Sequence, residues 1–81
     1  MDISTNAATI AIRDNTFELR GPLDNPYFRI TGKAQNASRL EIERNTICAD
    51  AANLPGHWLS PTRLNVTVRD NQYNGQPIAD R

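Results

Sequence analysis

Residues 64–69 read LNVTVR, in which Leu64, Val66 and Val68 alternate with polar residues. Successive side chains of a β-strand point to opposite faces, so this two-residue period predicts a strand with one apolar and one polar face. It is the strongest strand signal in the chain. The same rhythm, followed outward in both directions, predicts the fold class.

The alternation also occurs before this run, in residues 8–13, 16–20, 27–34 and 39–44. Gly21-Pro22 and Pro26 break the chain between the second and third of these runs, because proline fixes φ and restricts the residue before it. After the turn residues Asn74-Gly75, a short strand over residues 76–80 is expected with Ile78 inward and Pro77 confining it to an edge. The sequence therefore predicts an all-β fold of six or seven short antiparallel strands, as a sandwich or a small barrel.

Residues 27–34 and 39–44 are predicted to form a hairpin. A three-residue loop over residues 35–37 would set Ile30 opposite Ile42 and Arg29 opposite Glu43, with Asn36 or a neighbour at positive φ. A helix over residues 38–48 is the alternative, because glutamate and arginine are good helix formers.

The length of 81 residues supports one hydrophobic core, so residues 1–81 are predicted to be a single domain without an internal repeat. Residues 1–6 are expected to be a flexible segment or one that pairs with a partner. A core of this size supplies modest stability, and the single cysteine forms no internal disulfide, so assembly with another chain is expected to help.

The charge balance and hydropathy speak against two classes of partner. Nine basic residues match nine acidic ones, which gives no net field toward nucleic acid. No apolar run approaches the roughly 20 residues of a membrane-spanning helix, so no membrane insertion is expected. The sequence does not indicate a cellular compartment.

Few residues are suited to catalysis or to metal binding. Cys48 and His57 are the only residues of their types; Cys48 is expected in the core and His57 on a loop, and two such ligands are too few for a structural zinc site. Glu41 and Glu43 point the same way from one predicted strand, and Arg39 and Arg44 beside them are typical of a solvated ionic surface. We expect no enzyme activity, no metal and no cofactor.

Side chains that suit protein contact lie in or near the predicted turns. Tryptophan, tyrosine and arginine dominate the energetics of protein interfaces. Trp58 leads this set, although a lid at one end of the core is an equally good interpretation of it. The expected binding residues are Trp58, His57, Tyr73, Tyr27 and Arg63.

A weak resemblance to a known class of module covers residues 28–78. The run 28–42 (FRITGKAQNASRLEI), followed by Leu59-Ser60-Pro61, by residues 64–68 and by Asn74-Gly75, resembles bacterial immunoglobulin-like sandwich modules of surface proteins. The chain departs from their pattern at Thr62, Glu43-Arg44 and Asn53-Leu54. The resemblance implies an antiparallel sandwich that acts as a spacer, adhesive or assembly module.

The expected function is therefore a non-catalytic protein-binding or assembly module, such as a surface, filament or virion component. Its partner would be another protein or copies of itself, with a homo-oligomer as one form. The alternative is a small cytosolic inhibitor of the phage type that binds one host protein.

Overall fold

The computed structural model describes residues 2–4, 7–20, 26–56, 58–60 and 62–81. Nine short strands account for most of its regular structure, together with a 3₁₀ helix over Gly32–Asn36. The strands are β1 Asp2–Ile3, β2 Thr9–Arg13, β3 Thr16–Leu19, β4 Arg29–Ile30, β5 Arg39–Glu43, β6 Thr46–Ala49, β7 Asn65–Arg69, β8 Gln72–Tyr73 and β9 Gln76–Pro77. The predicted all-β class is confirmed for the described residues.

The strands form three columns, and nearly all neighbours within a column are parallel. The first column pairs β1 with β4 and continues through a bridge from Phe28 to Leu59. The second contains β2, β5 and β7, and the third contains β3, β6 and β8. Among the described strands, β8 and β9 are the one antiparallel pair. Because one strand of each column follows in turn along the chain, the backbone winds as a coil.

Three stacked coils result, and each contributes one segment to each column. Coil 1 contains β1, β2 and β3; coil 2 contains β4, β5 and β6; coil 3 contains the bridge residue Leu59, β7 and β8. Such an arrangement is a parallel β-solenoid, in which each coil contacts only its neighbours. Parallel strands need long connections, and the chain between β2 and β5 supplies one.

The coils repeat a nine-residue pattern, so the prediction of no internal repeat is wrong. Residues 9–17 (TIAIRDNTF), 39–47 (RLEIERNTI) and 65–73 (NVTVRDNQY) align position by position, at spacings of 30 and 26 residues, and pair in this register. Each has apolar residues at its second and fourth positions, an asparagine at its seventh and an apolar residue at its ninth. The pattern encodes one strand, a two-residue turn and the next strand.

The asparagines of this pattern form a ladder through the stack. The Asn45 Nδ2 donates to the Ile12 carbonyl at 2.9 Å, and the Asn71 Nδ2 donates to the Ile42 carbonyl at 2.9 Å. The Asn45 Oδ1 accepts from the backbone N–H of Asn15 at 3.1 Å, and the Asn71 Oδ1 accepts from that of Asn45 at 2.9 Å. Asn45 and Asn71 are each 1% exposed. Buried amides are stabilising only when they are hydrogen-bonded, as these are.

The residue before each ladder asparagine lies in the left-handed region of the backbone. Asp14, Arg44 and Asp70 have φ values of 57°, 53° and 56°. Aspartate enters this region more readily than most residues, whereas arginine does so at a cost. This conformation turns the chain sharply, so that the strand before it and the strand after it belong to different columns.

Inward residues of the three coils form one core. Alternate residues of the second column point inward, and Leu40, Ile42 and Val68 are at most 1% exposed. Phe28 and Ile47 fill the core from the other two columns. This in-and-out alternation is what the two-residue period predicts.

The predicted antiparallel arrangement is wrong for the described strands other than β8 and β9. Ile42 lies beside Ile12 and Val68, not beside Ile30, and Ile30 lies beside Ile3. Alternation fixes which face of a strand is buried, but a parallel and an antiparallel neighbour satisfy it equally. Strand direction depends on the connections, which the pattern leaves unspecified.

Two local predictions also need correction. The strand expected over residues 27–34 is limited to Arg29–Ile30, and residues 32–36 form the 3₁₀ helix, with Gly32 rather than Asn36 at positive φ. Within residues 1–6, which are predicted from the sequence to be flexible or to pair with a partner, Asp2–Ile3 pairs with β4 of the same chain as β1. Met1, Thr5 and Asn6 lie outside the described residues.

The far end of coil 3 is covered by the chain itself. The backbone N–H of Val68 donates to the Arg81 carbonyl at 2.6 Å, and the N–H of Arg81 donates back at 3.0 Å. The N–H of Ile78 donates to the Asn71 carbonyl at 2.9 Å, and Ile78 is buried as predicted. Residues 76–81 therefore close this end of the stack.

We expect Asn45→Ala to destabilise the fold much more than Asn15→Ala. The first change leaves the Asn15 N–H and the Ile12 carbonyl without their buried amide partner and removes one of two donors to the Asn71 Oδ1, at a cost of about 2–3 kcal/mol. The second removes an exposed amide and is expected to cost less than about 1 kcal/mol. Urea unfolding followed by circular dichroism measures both. Equal effects at the two positions would contradict a stabilising role for the buried ladder.

Candidate docking surface at the open end of the coil

Coil 1 presents strand edges without a partner among the described residues. β2 and β3 each lie at the outer edge of their columns, beyond β5 and β6 respectively. Asp14 donates its backbone N–H toward coil 2, to the Glu43 carbonyl at 3.1 Å. Since alternate residues of a parallel strand direct both backbone groups to the same side, Thr9, Ala11 and Arg13 direct theirs away from coil 2. We call this side of coil 1 the open end.

The open end carries a shallow, largely apolar hollow. A hollow of about 530 Å³ lies there, and its floor is built by residues from all three strands of coil 1. Its lining residues are Asp2, Ile3, Ser4, Ile10, Ala11, Ile12, Asn15 and Phe17. Unpaired strand edges beside an apolar hollow are a template for another polypeptide.

In the third column, the inward side chain of coil 1 is more exposed than that of coil 2, because among the described residues a neighbouring coil packs on one side of coil 1 only. Ile47 in coil 2 is fully buried, whereas Phe17, which occupies the same position in coil 1, is half-buried. The Phe17 ring meets the Phe28 ring edge-to-face, with centroids 5.3 Å apart. One side of Phe17 is therefore held by the core while the other borders the hollow.

Ion pairs lie around the open end. The Arg44 guanidinium donates to both carboxylate oxygens of Asp14, at 2.7 and 3.1 Å, and Arg29 pairs with Asp2 at 3.0 and 3.3 Å. Hydrogen bonds from these arginines lower the pKa of Asp14 and of Asp2. Arg13 pairs with Glu41, which holds the edge strand to its neighbour. Each of these pairs joins a residue of coil 1 to a residue of coil 2.

The predicted contact residues Tyr27 and Tyr73 come together in the core rather than on the surface. They are 3% and 4% exposed, their rings stack with centroids 6.3 Å apart, and their hydroxyl oxygens are 3.3 Å apart. The Tyr73 hydroxyl donates to the Ala51 carbonyl at 2.6 Å. Burial, together with the Tyr73 contact, raises the pKa of Tyr27 far above its usual range.

Trp58 is also buried, as its interpretation as a lid requires. It is 7% exposed and meets the Phe28 ring edge-to-face at 6.0 Å. The Arg81 guanidinium lies 5.7 Å from the centre of its ring, so the C-terminal residue packs over it. These contacts leave Trp58 little surface for a partner.

The remaining predicted residues are separate from this cluster. Arg63 is exposed and lines a groove of about 400 Å³ with Ile30, Gln35, Asn36 and Thr62. His57 lies outside the described residues. Cys48 is exposed, so its expected place in the core is wrong; strand alternation turns it outward beside the buried Ile47.

Neither a metal-binding cluster nor a membrane-spanning helix occurs among the described residues. The described ranges hold no cluster of three or more histidine, cysteine, aspartate or glutamate residues able to bind a metal ion. No helix in that part of the chain has the length and apolar character needed to cross a bilayer.

The sequence interpretation missed the open end. Its residues were expected to be ordinary core and turn positions, because a strand edge becomes visible only when the order of strands is known. The signal that would have revealed it is the alignment of Asn15, Asn45 and Asn71, which shows that residues 9–17 belong to the first of three stacked coils in the described chain.

We expect stability to fall as the pH drops below the ordinary range of aspartate. The pKa of Asp14 is lowered in the folded state, so its ion pair stabilises the fold above the unfolded-state pKa of about 3.9 and loses this effect as pH falls through the lower folded value. Asp14→Asn should flatten this part of the profile, while Asp80→Asn serves as an exposed control. Urea unfolding at pH values from about 6 to 2 measures both, and identical profiles for Asp14→Asn and the unmodified chain would contradict the assignment.

No family model, curated protein or solved structure matches this chain.

Proposed function

We propose that the chain is a non-catalytic protein-binding or assembly module, and that its open end receives another polypeptide. The observation that carries the proposal is the unpaired edge of β2 beside an apolar hollow lined by coil 1. A strand added to an exposed sheet edge gains main-chain hydrogen bonds, while side-chain pockets beside the edge supply specificity.

The two ends of the stack differ in a way that supports this role. Residues 76–81 cover coil 3 and take up the outward backbone groups of Val68. The equivalent groups of Thr9, Ala11 and Arg13 on coil 1 have no strand beside them in the described part of the chain. Native sheets usually protect their edges, so an uncovered edge indicates a place for a partner.

The side chains best suited to chemistry are engaged in structure. Glu41 contacts Arg13 and Arg39, and Glu43 contacts Arg13 and Arg44. The two contacts of Arg13 join β2 to β5, whereas the Arg39 and Arg44 contacts lie within coil 2. They support a binding role in preference to acid–base catalysis by this carboxylate pair.

The resemblance to immunoglobulin-like modules stays a prediction from the sequence. The strands of such a sandwich are antiparallel, whereas the columns here are parallel. A partner that is another protein, or a second copy, remains part of the proposal.

A peptide titration tests the proposal. The probe is a synthetic peptide of residues 38–49, which contains the strand, turn and strand that coil 1 already accepts on its other side. We expect saturable shifts of the backbone amide signals of Thr9, Ala11 and Arg13 in ¹⁵N NMR spectra, with a Kd of about 1 mM or lower.

Two variants at one position provide the control. Ala11→Pro removes an outward N–H that makes no bond within the described chain, so it should leave the fold intact and abolish the shifts. Ala11→Ser keeps the N–H and should preserve them. No shifts with the unmodified chain, or shifts that persist in Ala11→Pro, would refute docking at this edge.

A further inference from the structure

The ladder amides of coils 2 and 3 bond to the coil before them. Nδ2 of Asn45 reaches the Ile12 carbonyl, and Nδ2 of Asn71 reaches the Ile42 carbonyl, both at 2.9 Å. Each Oδ1 accepts the backbone N–H of the asparagine one coil earlier. The side chain of each ladder asparagine therefore binds backbone groups at the turn of the coil before it.

Asn15 has the same position in coil 1, and the residues that the structure describes form no coil on its other side. Its Nδ2 donates forward to the Asn45 Oδ1 at 3.3 Å, and its Oδ1 accepts no hydrogen bond from the residues that the structure describes. The side chain is exposed, whereas Asn45 and Asn71 are buried. The amide borders the hollow of the open end and offers an acceptor there.

We propose that the open end takes a parallel β-coil of a partner polypeptide, with its strand–turn–strand segment in register with β2 and β3. The turn of that coil would donate a backbone N–H to the Asn15 Oδ1, as the Asn15 N–H does to Asn45. An asparagine in the partner's turn would donate forward as well, as Asn45 does to the Asn71 Oδ1 at 3.0 Å. This inference rests on the proposed function and identifies the chemistry of the partner.

Continuity with the existing coil interfaces favours this occupant over a second copy of the chain. Head-to-tail stacking of copies is blocked because residues 76–81 cover the end that would have to dock. Two copies meeting through their open ends would be related by a two-fold axis, so β2 would pair antiparallel with itself. The turn at Asn15 would then face a different corner of the other copy, and the ladder would end.

A single extended strand is also a poorer match. It would cover one column, whereas edges of β1, β2 and β3 are all present and the hollow is lined from all three. A coil pairs with all three and places apolar side chains over Ile10, Ile12 and Phe17. This arrangement repeats the contact that coil 2 makes with coil 1 on its other side.

The test places such a coil at the open end by fusion. A second copy of residues 28–58 is joined directly before Met1, which puts Asp2 where Ser60 follows coil 2 and so preserves the register of the first column. In the fusion the added coil is tethered at a high effective concentration, so a coil that fits the open end should dock there. A control fusion carries lysine in place of the copied Leu40 and Ile42.

Urea unfolding and NMR supply the readouts. We expect one cooperative transition with a larger m-value than that of the unextended chain, because more surface is exposed on unfolding. The Asn15 side-chain amide protons should become protected from exchange. Asn15→Ala should lower the folding equilibrium constant about fivefold more in the extended chain than in the unextended chain, and copied Asn45→Ala should remove this difference.

Three outcomes would overturn the inference. One is an unchanged m-value with the added coil behaving like the lysine control. Another is a larger m-value in which the effect of Asn15→Ala is the same with and without the added coil; strand docking would then occur without ladder recognition, and the proposed function would stand on its peptide titration. The third is a two-fold dimer of the unextended chain, seen by light scattering, that protects the Ala11 N–H and is lost in Ala11→Pro.

Discussion

The fold depends on a buried amide at one corner of the coil. Asn45 and Asn71 tie adjacent turns together through both side-chain atoms, and each of these atoms bonds to a backbone group of the preceding coil. A backbone partner is present whatever the neighbouring side chains are, so the ladder fixes the stacking of turns independently of the packing beside it. Strand register in the second and third columns follows, because both strands leave the same fixed turn.

The stack derives its stability from neighbour contacts, and this explains why its ends differ from its middle. Leu40 and Ile42 in coil 2 are covered on both sides and are at most 1% exposed, while Ile10 and Ile12 in coil 1 retain 5% and 9%. A coil cannot bury its apolar residues alone. The C-terminal segment satisfies this need at one end, and the other end is where a partner would satisfy it.

The strands of the second column could be predicted from the sequence, but their neighbours could not. Alternation located β2, β5 and β7 to within a residue, and it placed Ile10, Leu40 and Val68 inward. It is silent on strand direction, since the same faces are buried for parallel and antiparallel pairing. The repeat contained that missing information, because identical turns stack only when their strands run the same way.

The residues of the candidate site could not be predicted from composition, for a similar reason. Tyr27, Tyr73 and Trp58 have the composition of an interface, yet winding of the chain brings them inside, where the tyrosines stack and Trp58 lies under Arg81. Aromatic residues near turns are exposed in a hairpin but buried where a coil closes on itself. Asn15 carries no such compositional signal, and its importance comes from where it stands in the stack.

The corners of the coil differ in how much freedom their lengths have. Between the second and third columns the connection is always two residues, 14–15, 44–45 and 70–71. Between the first and second columns it has five residues in coil 1 and eight in coil 2, where the 3₁₀ helix lies. Insertions at that corner leave the amide ladder in place, because loop closure costs little per added residue. The corner between the second and third columns therefore keeps one length. The corner between the first and second columns can change in length and shape without altering how the coils stack.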